Sequence, residues 1–475
     1  MFAKLPKHNA TLISYILLGI VIALIGGLLH FVASSYVIIG YLKYVVVGLF
    51  LMNLFLSLKI FNLPLFHPYV LFLGIFGLYM VSRIFIDLIG IVDFGVTTQF
   101  SDYTFDDAVK VRLLINIGLA IFALQVGFMS FHKYENNVTL KYTPMWERLG
   151  IVFFYLGLPF LAYQYIMVGL DVIDLGYGAR LSGELTYKNS ILTSVMVRIS
   201  LAGFFIFLAS IPHTKHFKWH LLVFVIINSL QLLEGGRYHT FCLYLMLFAY
   251  VFYTRNIRLK PWMYVFFVST LLLFGTVIGI IRSESNQFNA QQLYEFVYEQ
   301  GLGIQIVGHT IEYYDEIDYK PQHLVSHVHY YVDLILARIT GEEVPNDKVK
   351  RMEQYGNLEF VLTYKVNERA LIGGWDMAIS YISEAFMLGK EFMVFVISFL
   401  VGLSYSLIGQ RKRWHGFSLL VIIMILPSWL FIPRDSLFDF IPDNLTNFFV
   451  VSFILVGGGI SLRLKRKINS VLINN

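Results

Sequence analysis

Leu12-Ile-Ser-Tyr-Ile-Leu-Leu-Gly-Ile-Val-Ile-Ala-Leu-Ile-Gly-Gly-Leu-Leu-His-Phe-Val32 contains no Asp, Glu, Lys or Arg. With a rise of about 1.5 Å per residue, a helix of roughly 20 such residues crosses the hydrocarbon of a bilayer and bonds its own amides while doing so. Lys4 and Lys7 precede the stretch as they would in a signal peptide, but signal h-regions run only to about 15 residues. The sequence therefore predicts a retained first span. Working outward, further stretches reach or approach the same length: Tyr36 to Leu58, Tyr69 to Val92, Leu113 to Phe131, Leu149 to Val168 and Ile191 to Ile211. Trp219 to Leu233, Tyr238 to Tyr253, Trp262 to Ile281, Phe392 to Ile408, Phe417 to Phe431 and Leu445 to Leu462 follow, several of them short enough to require tilt or a thinned bilayer. The composition agrees: 57% hydrophobic, 14% charged and a mean hydropathy of +0.67 are far more apolar than a soluble chain of 475 residues needs for its core. The predicted fold is all-α, a polytopic integral membrane protein of about 12 transmembrane helices.

Alternate connections collect the basic residues, and such connections stay in the cytoplasm. Lys4 and Lys7; Lys59; Lys133, Lys141 and Arg148; Lys215 and Lys218; Arg255, Arg258 and Lys260; Arg411, Lys412 and Arg413; and Arg463, Lys465, Arg466 and Lys467 form that set. Both termini are thus expected inside. The opposite set is acidic or mixed, and contains one long segment, 282–391, expected to fold as a helical cap with breaks at Pro321 and Pro345. The expected organisation is 1–281 for spans one to nine, 282–391 for the outer cap loop, and 392–475 for spans ten to twelve and a cytoplasmic tail. Cys242 is the only cysteine, so no intrachain disulfide forms, and a formal charge of +5 gives no nucleic-acid signal.

Arginine on the outer side opposes the charge rule and needs a reason. Four occur there: Arg180 in Gly176-Tyr-Gly-Ala-Arg-Leu-Ser182, Arg237 closing Glu234-Gly235-Gly236-Arg237, Arg282 ending the ninth stretch, and Arg434 in Pro433-Arg-Asp-Ser436. Helices in one bundle end at a common level, which lets these guanidiniums share one pocket. Arginine holds phosphate oxygens in a bidentate fork and stays charged, while Gly235 and Gly236 allow backbone amides to approach an anion. Each arginine alone reads equally well as snorkelling to lipid phosphates or pairing with Asp435 or Glu284; together they favour a diphosphate site. Within spans, Arg83 is expected to pair with Asp87 one turn on, Lys43 to snorkel, and Arg198 to reach the site or a buried carboxylate.

Glu384 stands in the apolar run Ser380-Tyr-Ile-Ser-Glu-Ala-Phe-Met-Leu-Gly389, a setting suited to a general base acting on a sugar hydroxyl and equally to a salt bridge with an arginine. His323 and His327 lie one helical turn apart, but no carboxylate or cysteine spacing completes a zinc motif, so no metal is expected. A P-loop, a GxGxxG fingerprint and a GxSxG elbow are absent from the sequence. Energy must then come from the substrate or a gradient, and no cofactor is expected.

In chain order the Arg180-Leu-Ser182 element, the Gly235-Gly236-Arg237 turn, the large outer loop, Tyr381-Ile-Ser-Glu-Ala-Phe-Met-Leu-Gly389 and Pro433-Arg434-Asp435-Ser436 resemble the Wzy-type repeat-unit polymerases of bacterial O-antigen and related surface polysaccharides, enterobacterial common antigen among them. Ser383 stands where that family usually has glycine. The resemblance implies a GT-C-like, metal-independent glycosyltransferase at the periplasmic face of the inner membrane. Its substrates would be oligosaccharides on undecaprenyl diphosphate, the growing glycan passing onto a new lipid-linked repeat unit. Membrane lipids and a polysaccharide chain-length regulator are the other partners it suggests. In that setting Glu384 is the best base, Arg180, Arg237, Arg282 and Arg434 hold diphosphates and stabilise the leaving group, and His309, Tyr313, Tyr314, Tyr330, Tyr331 and Tyr355 are available to stack on sugars. An O-antigen ligase shares the chemistry with a different acceptor, and a lipid-linked oligosaccharide flippase is the leading alternative without catalysis.

Overall fold

The computed structural model describes residues 7–98, 101–132, 141–175, 187, 190–234, 237–255, 297–341, 344–345 and 347–473. In chain order its helices are α1 (Lys7–Val32), α2 (Ser35–Phe55), α3 (Pro68–Phe76), α4 (Ser82–Leu88), α5 (Asp107–Phe131), α6 (Pro144–Leu175), α7 (Ile191–Ala209), α8 (Thr214–Ser229) and α9 (Arg237–Arg255). After these come α10 (Leu302–Glu312), α11 (Ser326–Thr340), α12 (Lys348–Tyr355), α13 (Leu358–Ile372), α14 (Tyr381–Ile408), α15 (Gly416–Phe431) and α16 (Phe440–Ile473). Ten helices among the described residues are long and apolar enough to cross a membrane. The expected eighth span is a shorter apolar helix, Thr240–Arg255, and the expected ninth, Trp262 to Ile281, lies outside the described residues.

Local chemistry sets the helix ends. Asp106 accepts from the Val109 amide at 2.8 Å and starts α5, Ser190 accepts from the Thr193 amide at 3.1 Å and starts α7, and Ser380 accepts from the Ile382 amide at 3.2 Å and starts α14. Gly341 and Gly356 stop α11 and α12 in left-handed backbone.

The chain divides into two compact units. In the first (Met1–Tyr134, Ile257–Gln410, Leu430–Phe438), α5 packs along α14. A Cβ on Gly127 would sit 2.0 Å from the Phe399 carbonyl oxygen, and one on Gly402 would sit 2.1 Å from that of Leu124. Small residues at such crossings let two backbones touch where lipid removes the hydrophobic incentive to associate. Hydrogen bonds between helices add to this: Tyr15 to Asn53 at 2.6 Å, Asn53 to the Ile121 carbonyl at 2.9 Å, and Tyr69 to Gln125 at 2.8 Å.

Two expectations for the intramembrane charges are corrected in this unit. Asp87 pairs with Lys43 at 2.8 Å, so Lys43 does not snorkel and Asp87 is not the partner of Arg83. Arg83 is fully buried and donates to the Tyr298 carbonyl at 2.8 Å, the Val96 carbonyl at 3.1 Å and the Thr98 hydroxyl at 3.2 Å. One-turn spacing placed Arg83 beside Asp87 on the same helix, but α2 brings a cation to Asp87 from across the packing.

The described part of 282–391 is helical. It shares a core of Ile306, Ile317, Leu358, Leu362, Met377 and Ile379 with Met387 of α14, and α10 packs on α5 and α14. Within α14 the helical path breaks at Gly389 and Lys390, where Lys390 adopts φ 52°, a costly conformation for a residue with a Cβ. The break separates the buried turn Tyr381–Met387 from the apolar stretch that begins near Phe392.

In the second unit (Glu135–Asn256, Arg411–Trp429, Asp439–Asn475), α6 and α7 cross at a similar glycine contact, with a Cβ on Gly150 only 2.5 Å from the Phe207 nitrogen. Phe204 and Phe224 stack at 3.7 Å beside it, and Glu147 holds His216 at 2.6 Å.

Candidate functional site

Glu384 is 3% exposed in the first turn of α14. Its Oε1 accepts from the Ser436 hydroxyl at 2.7 Å and its Oε2 from the Leu437 amide at 2.8 Å. The carboxylate thus clamps the turn that follows Arg434 and joins two motifs more than 40 residues apart in sequence. Position 383 is helical, so its serine needs no glycine backbone; the Ser383 hydroxyl is buried with no hydrogen-bond partner.

Arg434 closes the short helix Ile432–Arg434 and is half-buried. It donates to Gln300 at 3.3 Å, and its guanidinium lies 5.3 Å from the centre of the Tyr79 ring, itself edge-on to Phe431 at 5.4 Å. Both partners are uncharged, so the full positive charge remains for an anion. Neither Asp435 nor another carboxylate ion-pairs with Arg434 among the described residues.

The helices that precede α14 carry several charged groups. His327 on α11 meets Glu359 on α13 at 3.5 Å. Burial alone would push the His327 imidazole down, but the Glu359 carboxylate, helped by Asp435 and Glu384, more than offsets it and pushes its pKa up to about 9. Lys348 holds Asp376 at 2.5 Å, and the Arg351 guanidinium lies 3.8 Å from the Tyr330 ring centre. His323, one helical turn from His327 in the sequence, lies against Gly356. Among the described residues no three His, Cys, Asp or Glu side chains converge as a metal site.

His309 is 1% exposed, with Nδ1 at 3.1 Å from the Tyr103 hydroxyl and 3.2 Å from Glu312, and Phe105 against its ring at 4.9 Å. Tyr313 and Tyr314 are half-buried against the core that contains Ile306, Leu362 and Met387, and Tyr355 is buried and donates to Asp333 at 2.9 Å. These side chains brace the segment that precedes α14. Arg180, Gly235, Gly236 and Arg282 lie outside the described residues, and Arg237 opens α9. Sequence reasoning missed Ser436 and Leu437 as partners of Glu384, and Tyr319, whose phenol is pushed up by burial first and by the Glu384 charge second. Only the placement of Ser436 inside a quoted motif hinted at its part.

No curated protein and no solved structure matches the chain. The model of the family described as O-antigen polysaccharide polymerase Wzy matches residues 11–467. With nearly its whole length accounted for in this way, and with the Glu384 carboxylate clamped onto an arginine-bearing turn, the chain belongs to that family, whose members polymerise repeat units carried on undecaprenyl diphosphate.

Proposed function

We propose that glycosyl transfer takes place at the periplasmic ends of the helices, without a metal, in the region organised by Glu384 and Arg434. The observation that carries this reading is the Glu384 clamp on Ser436 and Leu437, which fixes an acid and an unpaired-by-charge guanidinium in one neighbourhood. In the reaction the acceptor sugar hydroxyl takes the place of the Ser436 hydroxyl at Oε1 and gives its proton to Glu384 as its oxygen attacks the anomeric carbon of the donor. The bond from that carbon to the diphosphate oxygen breaks, and the diphosphate leaves with the electron pair. Arg434, with Arg180, Arg237 and Arg282 joining from the other outer turns, holds donor and acceptor diphosphates and stabilises the departing charge. Gly235 and Gly236 offer backbone amides to the same anion, while His309 and Tyr313 support the loop that holds the glycan. Glu384 finally returns its proton to water or to the released diphosphate.

The basic connections support a placement of both termini in the cytoplasm and of 282–391 outside, in a 12-span, GT-C-like bundle of the bacterial inner membrane. A chain-length regulator would meet the protein there. Arg237→Ala is expected to abolish polymer while protein levels stay normal, and full polymer from that variant would remove the arginine site from the account.

A further inference from the structure

A cleft of about 330 Å³ opens in the outer segment between residues 317–320 and helices α12 and α13. That falls at the lower end of small-molecule sites, about 300–1,000 Å³. Tyr319, His323 and Tyr364 bring aromatic side chains to its lining, and Ile317 and Val361 add apolar surface. Gly356 completes the wall: its φ is +66°, and a Cβ there would lie 2.8 Å from the His323 ring, which can close over the backbone only because the residue is glycine. The Tyr319 hydroxyl is buried with no hydrogen-bond partner, so what this residue offers the cleft is its ring. Ile317, Tyr319 and Val361 pack in one cluster with Met387, one turn along α14 from Glu384, so the cleft borders the proposed reaction region.

Aromatic side chains beside apolar Ile317 and Val361 and polar Gln354 and Glu353 match a sugar ring, which has apolar C–H faces and a hydroxyl edge. The rim charges select further. Asp318 pairs with Lys320 at 3.1 Å and Lys365 with Glu316 at 3.2 Å, which leaves Glu353 outside any ion pair among the described residues and the rim with a negative excess. A carboxylate-bearing sugar would be repelled there.

We propose that this cleft is a saccharide subsite of the polymerase, holding an uncharged or amino-bearing sugar of the glycan against Tyr319 and Tyr364 beside Glu384. The proposal rests on the polymerase reading for its substrate but is read out by binding alone. The full chain in lipid nanodiscs is titrated with the methyl glycosides of N-acetylglucosamine, glucose and glucuronic acid, and contact is measured by saturation-transfer NMR. The two neutral glycosides give transfer and the glucuronide gives several-fold less. Tyr364→Ala removes the transfer while unfolding as the wild type does, and Tyr319→Phe, which keeps the ring and drops only the buried hydroxyl, retains it. Absence of transfer from the neutral glycosides, undiminished transfer in Tyr364→Ala, or a preference for the glucuronide overturns the subsite. Polymer formation by the wild type, assayed in parallel, reports separately on the polymerase reading, so failure of one is distinguishable from failure of the other.

Discussion

Replacing Glu384 separates its clamping role from its chemical one. Both of its oxygens accept hydrogen bonds in a buried setting, at 2.7 Å from Ser436 and 2.8 Å from Leu437. Alanine would leave a hydroxyl and an amide buried without partners, at about 1–3 kcal/mol each, so Glu384→Ala should lose about 2–6 kcal/mol. Glutamine keeps the shape: its carbonyl accepts from the Leu437 amide, and its NH2 donates to the Ser436 hydroxyl, which rotates to accept. Only the charge assistance goes, about 1–1.5 kcal/mol per bond. If Glu384 also takes the sugar proton, Glu384→Gln should lower kcat by about 100- to 10,000-fold, far beyond what its stability change accounts for. Thermal unfolding of the purified variants, together with polymer yield from a lipid-linked repeat unit, measures both effects. A Glu384→Ala protein that unfolds at the wild-type temperature refutes the clamp, and a Glu384→Gln protein with near-normal kcat refutes the proton transfer.

Three other perturbations test separate parts of the structure. Arg434→Lys keeps the charge but loses the planar fork, so the KM for lipid-linked substrate should rise in steady-state polymerisation while folding is preserved. The His327 pKa is raised in the folded protein from an ordinary 6.5 to about 9, so its stabilising contribution, on the order of 3 kcal/mol, is complete below pH 6.5 and is lost as pH rises through 9. The unfolding temperature should therefore fall across that window in the wild type, and His327→Gln should flatten the dependence. Gly127→Val would drive side-chain atoms into the Phe399 carbonyl, 2.0 Å from the new Cβ; a cost of about 1–3 kcal/mol or more and a lower detergent-resistant yield are expected, and a variant as stable as wild type would contradict the close crossing of α5 and α14.

Membrane spans were legible because the bilayer imposes a length and a hydropathy on each helix independently of its neighbours, as in Leu12 to Val32 and Leu113 to Phe131. Partner choice between helices was not. Helical spacing showed Asp87 next to Arg83 on one helix, but nothing local in the sequence placed Lys43 within 2.8 Å of it. The candidate site behaves likewise. Glu384 and Arg434 were visible as a charged residue in an apolar run and a cation on the wrong side of the charge rule, whereas the bonds through Ser436 and Leu437 arise from packing of distant segments. The family resemblance made His309 available to stack on sugars, and in the fold Tyr103 and Glu312 lie within hydrogen-bond distance of its Nδ1. Tyr319 and Tyr364, in the cleft, carried no signal that set them apart from the other tyrosines of that segment.

The central claim, metal-independent polymerisation at a site of arginines and Glu384, is tested most directly by incubating the purified full chain with a synthetic undecaprenyl-diphosphate repeat unit in the presence of EDTA and without nucleotide. The account predicts a ladder of lipid-linked products lengthening by one repeat unit per step, abolished by Arg237→Ala. Unchanged lipid from an otherwise folded protein, or lipid moved across a liposome bilayer without being elongated, would contradict it.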